Sequence, residues 1–292
     1  MYYKKTFGAK VSNAIIYLIN ILLTLAFMYP IVYCLSMSLS DPEMLGGKAI
    51  GLLPKGFSLE AYKYLLSSSK VFRYYGNTIL YAGLGTFITI MTTSLVAYPL
   101  SISTFSARKV LTIYLVITMF FGGGMVPTYL NMQRLGLMDT VWAMVLPGVG
   151  AYNVMVYKTF FKQLPSSLTE AAKIDGAGHF RILFTIVMPL SRPMLATMIL
   201  FSIVGHWNSF LNAVMYLRDS NKYPIQMMLR SLLISLEMLE DEKMAAMAKQ
   251  LTTSTRTVKG AAVMITIIPI LCVYPFMQKY FAKGVMVGSI KE

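Results

Sequence analysis

Long runs of residues without charge divide the chain. Such runs lie between Lys10 and Asp41, Arg73 and Arg108, Lys109 and Arg134, Asp139 and Lys158, Arg192 and Arg218, and Lys259 and Lys279. A helix needs roughly 20 consecutive apolar residues to cross the hydrocarbon of a bilayer, and each run provides about that length. The pattern predicts an all-α integral membrane protein with six transmembrane helices, at about 11–39, 77–104, 110–131, 140–157, 194–217 and 261–278.

A soluble fold with buried helices is the alternative to this prediction. Runs that are apolar on every face have no place in a soluble domain of this size. Only 13% of the residues are charged, whereas soluble domains carry about 25%. The first run is also much longer than the apolar region of a cleaved secretory signal, so we expect it to remain as a span.

An even number of spans places both termini on one side of the membrane. The count of Lys and Arg is tied between the two sides, but Lys4, Lys5 and Lys10 stand close before the first span and favour cytoplasmic termini. On this topology the segments 1–10, about 105–109, 158–193 and 279–292 are cytoplasmic. The amphipathic segment 232–250 lies on the other side, as a solvated helix or as a docking surface for an external partner.

Charge and cysteine content exclude several other classes. The formal net charge of +14 is dispersed through the loops, which suits a membrane surface better than a nucleic acid. Cys34 and Cys272 both fall in predicted spans without the spacing of metal ligands, so neither a disulfide framework nor a metal site is expected. No phosphate-binding GxxxxGK[ST] motif is present, and Gly122–Gly124 lack the lysine that such a motif needs.

Two segments depart from a regular helical pattern. In FFGGGMVPTYL, three glycines and Pro127 weaken the third predicted span and predict a kink near its outer end, with irregular backbone that lines a cavity as the alternative. In PSSLTEAAKIDGAG, Ser167 and Glu170 have the spacing of a capping box, and Gly176 predicts the end of a short helix. Leu168, Ala171, Ala172 and Asp175 then form one face of small and apolar groups, suited to a groove in another protein.

The same loop resembles the EAA loop of membrane subunits in bacterial ABC importers. The matching residues are Glu170, Ala171, Ala172, Asp175, Gly176, Gly178 and Pro189. The flanking segments TFFKQLPSSLTEAAKIDGAG, VGHWNSFLNAVMYLRD, YPIQMMLR and YPFMQKYFAKGVMVGSIKE resemble carbohydrate permeases of the maltose-permease class. FFGGGMVPTYL and HWNSF look similar to the branch that serves complex oligosaccharides and polysaccharide-derived sugars. The resemblance covers essentially the whole chain.

This resemblance implies a type I ABC importer permease fold and a role in an assembly. In the family, the EAA loop is a coupling helix that docks into a cytoplasmic ATPase subunit, with Glu170 as its acidic contact. The implied partners are a second, homologous permease, two ATPase subunits and an extracytoplasmic sugar-binding protein, in the cell membrane of a bacterium. ATP and Mg²⁺ would be bound by the ATPase subunits, so this chain itself would carry no cofactor and would not be an enzyme.

Polar residues inside the predicted spans are candidates for a substrate path, because they are costly in a bilayer unless they face protein or water. These candidates are Asn153, His206, Trp207, Asn208 and Asn212. Asn208 and Asn212 are four residues apart and are expected to share a helix face, and Trp207 is suited to stacking on a sugar ring. Hydrogen bonding between helices explains the same amides equally well.

An ion-coupled secondary transporter that works without an ATPase is the second function considered. Such a protein is expected to place ionisable residues or broken helical repeats at the middle of the bilayer. The predicted spans contain almost no Asp, Glu, Lys or Arg, which disfavours this alternative.

Overall fold

The computed structural model describes residues 7–45, 51–241, 255–273 and 275, and every regular element in these ranges is helical. The helices are α1 (Phe7–Ser38), α2 (Pro42–Leu45), α3 (Glu60–Ser67), α4 (Ser69–Ser101), α5 (Arg108–Phe120), α6 (Met125–Arg134), α7 (Val141–Val145), α8 (Ala151–Lys162), α9 (Ser166–Ile174), α10 (His179–Ile182), α11 (Met188–Leu190), α12 (Arg192–Trp207), α13 (Phe210–Tyr216), α14 (Ile225–Asp241) and α15 (Thr255–Val273). Short 3₁₀ turns occupy Leu146–Gly148 and Ser220–Lys222, and a π-helical turn occupies Leu183–Val187.

Three of these helices are long and apolar enough to cross a membrane unbroken: α1 from Lys10, α4 and α15. Two further pairs reach that length only across a sharp bend, α5 with α6 and the segment His179–Leu190 with α12. Counting each bent pair as one span gives up to five among the described residues, so these helices do not reproduce the predicted six one for one.

The third predicted span is broken by its glycines. Helix α5 ends at Phe120, the residues Phe121–Gly124 are not helical, and α6 starts at Met125 after a turn of 117°. Gly124 has a φ of 85°. The predicted kink is confirmed in position, but the change of direction is large enough that residues 110–131 are not one continuous helix.

The fourth and fifth predicted spans are also divided. Residues 140–157 comprise α7, the 3₁₀ turn Leu146–Gly148 and most of α8. Residues 194–217 comprise α12 and α13, which are separated by Asn208 and Ser209. Non-helical backbone at membrane depth is tolerated where protein or a cavity surrounds it.

The chain divides into two compact units, residues 1–69 with 229–267 and residues 70–228 with 268–292. In the first unit, hydroxyl groups at the end of α1 fix the following loop: Ser38 Oγ and Tyr62 Oη are 2.8 Å apart, and Ser36 Oγ donates to the Gly51 carbonyl at 3.1 Å. Helix α15 approaches α1 closely, since a Cβ built at Gly260 would lie 3.1 Å from the Cys34 carbonyl oxygen.

The second unit contains the main hydrophobic core of the described residues. Helix α4 contributes Ala97, Tyr98 and Leu100, α8 contributes Tyr157 and Phe161, and the segment from α10 to α12 supplies most of the rest. Tyr157 and Leu183 are almost completely buried in this core. The loop Gln163–Gly178, which carries α9, leaves from it and returns to it.

Helix α4 and Asp139 together fix the segment that precedes α14. From α4, Asn77 Nδ2 donates to the Tyr223 carbonyl at 3.0 Å and Tyr81 Oη donates to the Lys222 carbonyl at 2.7 Å. Asp139 Oδ2 lies 2.9 Å from Lys222 Nζ, while its Oδ1 accepts the backbone N–H groups of Arg218 and Asp219.

These donors hold the pKa of Asp139 below its usual range, chiefly through the hydrogen bond from Lys222 and then through the Asp219 amide. A carboxyl group whose pKa is lowered by folding stabilises the fold above its unfolded pKa of about 4 and loses that contribution as the pH falls. The segment 217–224 therefore depends on an ionised Asp139.

We predict that Asp139→Ala loosens the segment 217–224, because the Lys222 ammonium group and two backbone amides lose their acceptor. Amide exchange of peptides covering 217–224 should accelerate several-fold, and acidification below pH 4 should produce the same change in the wild type. Arg218→Ala is the matched control, since it keeps the backbone N–H that donates a hydrogen bond to Asp139. Equal exchange in Asp139→Ala and the wild type would contradict the role of this carboxylate.

Candidate functional site

Helix α9 begins two residues earlier than the capping-box spacing predicts, and without a side-chain cap. It starts at Ser166, and its N-cap position is occupied by Pro165, which has no acceptor to offer. Ser167 lies inside the helix. Its hydroxyl group therefore does not cap the helix by accepting the hydrogen bond from the Glu170 N–H. The predicted capping box is wrong, and Glu170 is exposed.

The end of α9 is confirmed at the predicted glycine. Gly176 has a φ of 79°, a conformation that residues with a Cβ rarely adopt. Its N–H donates to the Lys173 carbonyl at 3.0 Å, and the N–H of Ala177 donates to the Ala172 carbonyl at 2.8 Å. These two bonds form a Schellman motif, which ends the helix and satisfies its last carbonyl groups.

The two sides of α9 have different surroundings. Ala172 and Ala177, the pair that the Schellman motif brings together, are half-buried and pack against the hydrophobic core. Ile174 is 87% exposed, and Leu168, Ala171 and Asp175 are also exposed. The predicted face is therefore divided, because Ala172 faces the core while its other members face away from it.

The chain returns to the core by a sharply bent path. Gly178 is exposed and precedes α10, where Phe180 is 71% exposed. The π-helical turn Leu183–Val187 and α11 follow, and the axis turns by 86° between the segment His179–Leu190 and α12. This bend lies between Pro189 and Pro193. The loop thus presents Ile174 and Phe180 outward from a buried base.

A second candidate site is a cavity of about 300 Å³ among α8, α12 and α13. It brings together three of the five predicted path residues, Asn153, His206 and Asn212. Asn153 Nδ2 reaches the Gly148 carbonyl at 3.5 Å, and Ser202 and Ser209 add hydroxyl groups to the wall. The cavity is lined by amides and hydroxyl groups, which suit a hydroxyl-rich ligand or ordered water.

The other two predicted path residues lie elsewhere. Trp207 is buried, its ring centroid is 6.3 Å from that of Tyr75, and it lines a separate apolar cavity. Asn208 is exposed and follows α12 as its C-cap, with Nδ2 donating to the Val204 carbonyl at 3.0 Å and Oδ1 accepting from Gln226 Nε2 at 2.9 Å. The expected shared face of Asn208 and Asn212 is wrong because the helix breaks between α12 and α13.

The His206 ring packs between the backbone at Gly85 of α4 and the backbone at Gly148. The residue is 6% exposed. A Cβ built at Gly85 would lie 2.5 Å from His206 Cε1, and one at Gly148 would lie 2.7 Å from His206 Nε2. The imidazole ring therefore fills space that only glycine leaves, so His206 has a packing role in addition to its position at the cavity.

A row of buried hydroxyl groups on α4 was missed by the sequence analysis. Within the part of the chain that the structure describes, six buried polar atoms have no hydrogen-bond partner: Oγ1 of Thr86, Thr89 and Thr93, Oγ of Ser94 and Ser202, and His206 Nε2. Thr86, Thr89 and Thr93 recur at helical spacing, a signal present in the sequence. No group of three or more His, Cys, Asp or Glu side chains that could hold a metal ion occurs among the described residues.

Comparisons with known proteins match nearly the whole chain. A family model described as "Binding-protein-dependent transport system inner membrane component" matches residues 2–287. The polygalacturonan/rhamnogalacturonan transport system permease protein YtcP of Bacillus subtilis is 38% identical over 283 residues, covering 97% of this chain and 99% of that protein. Protein LplC of the same organism is 38% identical over 263 residues, covering 90% and 88%.

A solved structure is also similar. One chain of a bacterial ABC transporter involved in the import of the acidic polysaccharide alginate has a TM-score of 0.85 with this chain at 31% identity. The match covers 96% of this chain and 100% of that chain.

We predict that Gly85→Ala destabilises the protein because the new methyl group meets the His206 ring, at a cost of about 1–3 kcal/mol for overpacking. The melting temperature of the purified protein in detergent should fall. Gly83→Ala is the matched control on the same helix, since nothing lies within 4 Å of its added Cβ.

The double variant Gly85→Ala with His206→Ala separates the clash from other effects. It should recover part of the loss caused by Gly85→Ala alone, because the methyl group then occupies space vacated by the ring. If the stability losses of Gly85→Ala and His206→Ala simply add up in the double variant, the new methyl group and the His206 ring do not clash.

Proposed function

This chain belongs to the family of binding-protein-dependent transport system inner membrane components, so we propose that it is a permease subunit of an ATP-driven importer of oligosaccharides. The observation that carries the proposal is the loop around α9, where an exposed helix tip stands on a base packed into the core. An apolar side chain as exposed as Ile174 is best explained by a partner that covers it.

The proposed partner of α9 is a cytoplasmic ATPase subunit. A short helix that presents Leu168, Ile174 and a carboxylate is suited to a groove with an apolar floor and a basic rim. Glu170 is available for that rim because Pro165, rather than a capping box, begins the helix. Ala171, Asp175 and Gly178 are exposed beside it and complete the surface.

The base of α9 provides a route from the ATPase to the spans. Ala172 and Ala177 contact the core that contains Tyr157 from α8 and Leu183 from the π-helical turn. Interiors are close-packed, so a displacement of α9 is passed to these helices as a shift rather than absorbed by empty space. ATP-driven closure of the ATPase pair would in this way change the arrangement of the membrane helices.

The proposed route of the substrate is lined in part by the cavity at Asn153, His206 and Asn212. Amide and hydroxyl groups exchange hydrogen bonds with a sugar in the way that water does, so they ease the passage of a hydroxyl-rich molecule. Trp207 and Asn208 would contribute through helix packing rather than through contact with the sugar. The unpartnered hydroxyl group of Thr89, which lies close to Gly148, extends the polar surface next to this cavity.

Carbohydrate is proposed as the substrate because of the named relatives. YtcP is named for polygalacturonan and rhamnogalacturonan, and the similar solved transporter imports alginate. These polymers carry carboxylate groups on their sugars, so acidic oligosaccharides are the first class to test.

The complete proposed assembly contains this chain, a second and similar permease, two ATPase subunits that bind ATP and Mg²⁺, and an extracytoplasmic sugar-binding protein. Its place is the cell membrane of a bacterium. Docking of α9 on the ATPase would put the loop 158–193 and both termini in the cytoplasm, in agreement with Lys4, Lys5 and Lys10 before the first span.

We predict that the transporter, purified with its partners and reconstituted in lipid vesicles, hydrolyses ATP faster when the binding protein and a transported sugar are added. A panel of uronate and neutral oligosaccharides should identify one class that raises the rate several-fold. Vesicles without the binding protein are the control. Uptake that follows an ion gradient, with no ATPase subunit in the purified complex, would replace the proposal with the ion-coupled secondary transporter.

We also predict that Ile174→Ser weakens the association with the ATPase subunit about tenfold, because an apolar contact worth about 1.5 kcal/mol or more is lost. The recovery of ATPase subunit with the tagged permease measures this. Leu53→Ser is the matched control, since Leu53 is 79% exposed in a different loop. Recovery that is unchanged in Ile174→Ser, or lowered equally in both variants, would remove Ile174 from the docking surface.

A further inference from the structure

A cationic cavity lies among the loop that joins α4 to α5, the first turns of α5, and Lys158 of α8, and it shares no lining residue with the polar cavity. It has a volume of about 580 Å³. Its lining residues are three basic side chains, four hydroxyl side chains and two apolar ones: Arg108, Lys109, Lys158, Ser103, Thr104, Ser106, Thr112, Phe105 and Ile113. No carboxylate is among them.

The positive charge of this cavity is not neutralised in the described part of the chain. Lys158 Nζ donates to Thr112 Oγ1 at 2.8 Å, a neutral partner, and the charges that act on it are those of Arg108 and Lys162, which repel it. No ion pair joins Arg108, Lys109 or Lys158 to an acidic side chain in the ranges that the structure describes. Gathering like charges in a half-buried place is costly unless an anion is bound there.

The first turn of α5 adds to the attraction for an anion. This helix has 13 residues and begins at Arg108, and no side chain caps its N-terminus. The Arg108 N–H already donates to the Phe105 carbonyl at 3.1 Å, so it is the helix dipole that favours a negative group at that end. Its effect has the same sign as that of the three basic side chains.

An apolar groove of about 430 Å³ adjoins the cationic cavity at Phe105, a residue that lines both. Its other walls are apolar side chains of α4 and α5: Leu95, Val96, Pro99, Leu100, Leu111, Tyr114 and Leu115. Helix α5 has no buried residue in the described structure, and Val110 and Tyr114 are strongly exposed. An apolar helix exposed in this way is suited to lipid chains rather than to a soluble protein.

From this pairing of a basic cavity with an apolar groove, we propose that the ends of α4 and α5 with Lys158 form a binding site for an anionic phospholipid. The phosphate group lies among Arg108, Lys109 and Lys158, and an acyl chain follows the groove beside Phe105. Basic pockets between membrane helices on the cytoplasmic side bind such headgroups. The site makes the arrangement of α4, α5 and α8 dependent on the lipid composition of the membrane.

The test measures retained lipid in the whole transporter complex. The complex is reconstituted in nanodiscs that contain equal amounts of phosphatidylglycerol and phosphatidylcholine, extracted in mild detergent, and its lipids are counted by mass spectrometry. The wild type should retain phosphatidylglycerol in preference to phosphatidylcholine. Lys158→Gln should lower this preference about fivefold, and the triple variant Arg108→Gln, Lys109→Gln, Lys158→Gln should abolish it.

Two further variants distinguish a defined site from a general effect of charge. Lys162→Gln removes a charge one turn along α8 from Lys158 but outside the cavity lining, and it should retain lipid as the wild type does. The double variant Arg108→Lys with Lys109→Arg keeps both charges and should also retain the lipid, which shows that retention follows the charge at these positions rather than the exact side chains.

Three results would overturn the proposal. One is equal retention of phosphatidylglycerol by the wild type and the triple variant. Another is an equal loss in Lys162→Gln and Lys158→Gln, which would indicate surface charge without a site. The third is displacement of the retained lipid by inorganic phosphate that binds the wild type but not the triple variant, which would assign the cavity to a small soluble anion.

Discussion

The requirement that every backbone N–H and C=O group in a bilayer finds a partner within the protein governs this structure. Long uncharged runs meet the requirement by forming helices such as α1, α4 and α15. Wherever the helical pattern stops inside such a run, other parts of the protein must satisfy the freed backbone. The helices break at Phe121–Gly124, at Leu146–Gly148 and between α12 and α13. At these three places other groups of the protein must therefore satisfy backbone groups that have no helical partner. The polar cavity lies beside the last two of these breaks.

The α9 loop meets a different constraint, since it leaves the spans and must still be rigid. Its rigidity comes from two features at one point, the Schellman bonds to Ala172 and Lys173 and the packing of Ala172 and Ala177 on the core. A loop without such a base would move independently of the helices behind it. The exposed Ile174 and the half-buried Ala172 stand two residues apart on α9, so one short helix both contacts the core and presents an apolar side chain to the proposed partner.

Much of this was predictable from the sequence, because the relevant signals are local. The uncharged runs predict helices, and Gly176 predicts a helix end because a φ of 79° is natural only for glycine. The predicted start of α9 is two residues too late, because the spacing of Ser167 and Glu170 indicates a capping box although Pro165 occupies the N-cap position. Contacts between distant segments carried no such signal. The packing of His206 against Gly85 and Gly148 depends on how three helical segments meet. The helix break at Asn208 and Ser209 has no glycine or proline that would predict it.

The most direct measurement is a photo-crosslink from position 174 in the assembled transporter in cells, with position 172 as the comparison. If α9 is the docking element, a photoreactive residue at 174 forms an adduct with the ATPase subunit, whereas one at 172 reacts only within the permease. An adduct from 174 that contains only lipid or the partner permease, in cells where transport is active, would contradict the docking role of this loop.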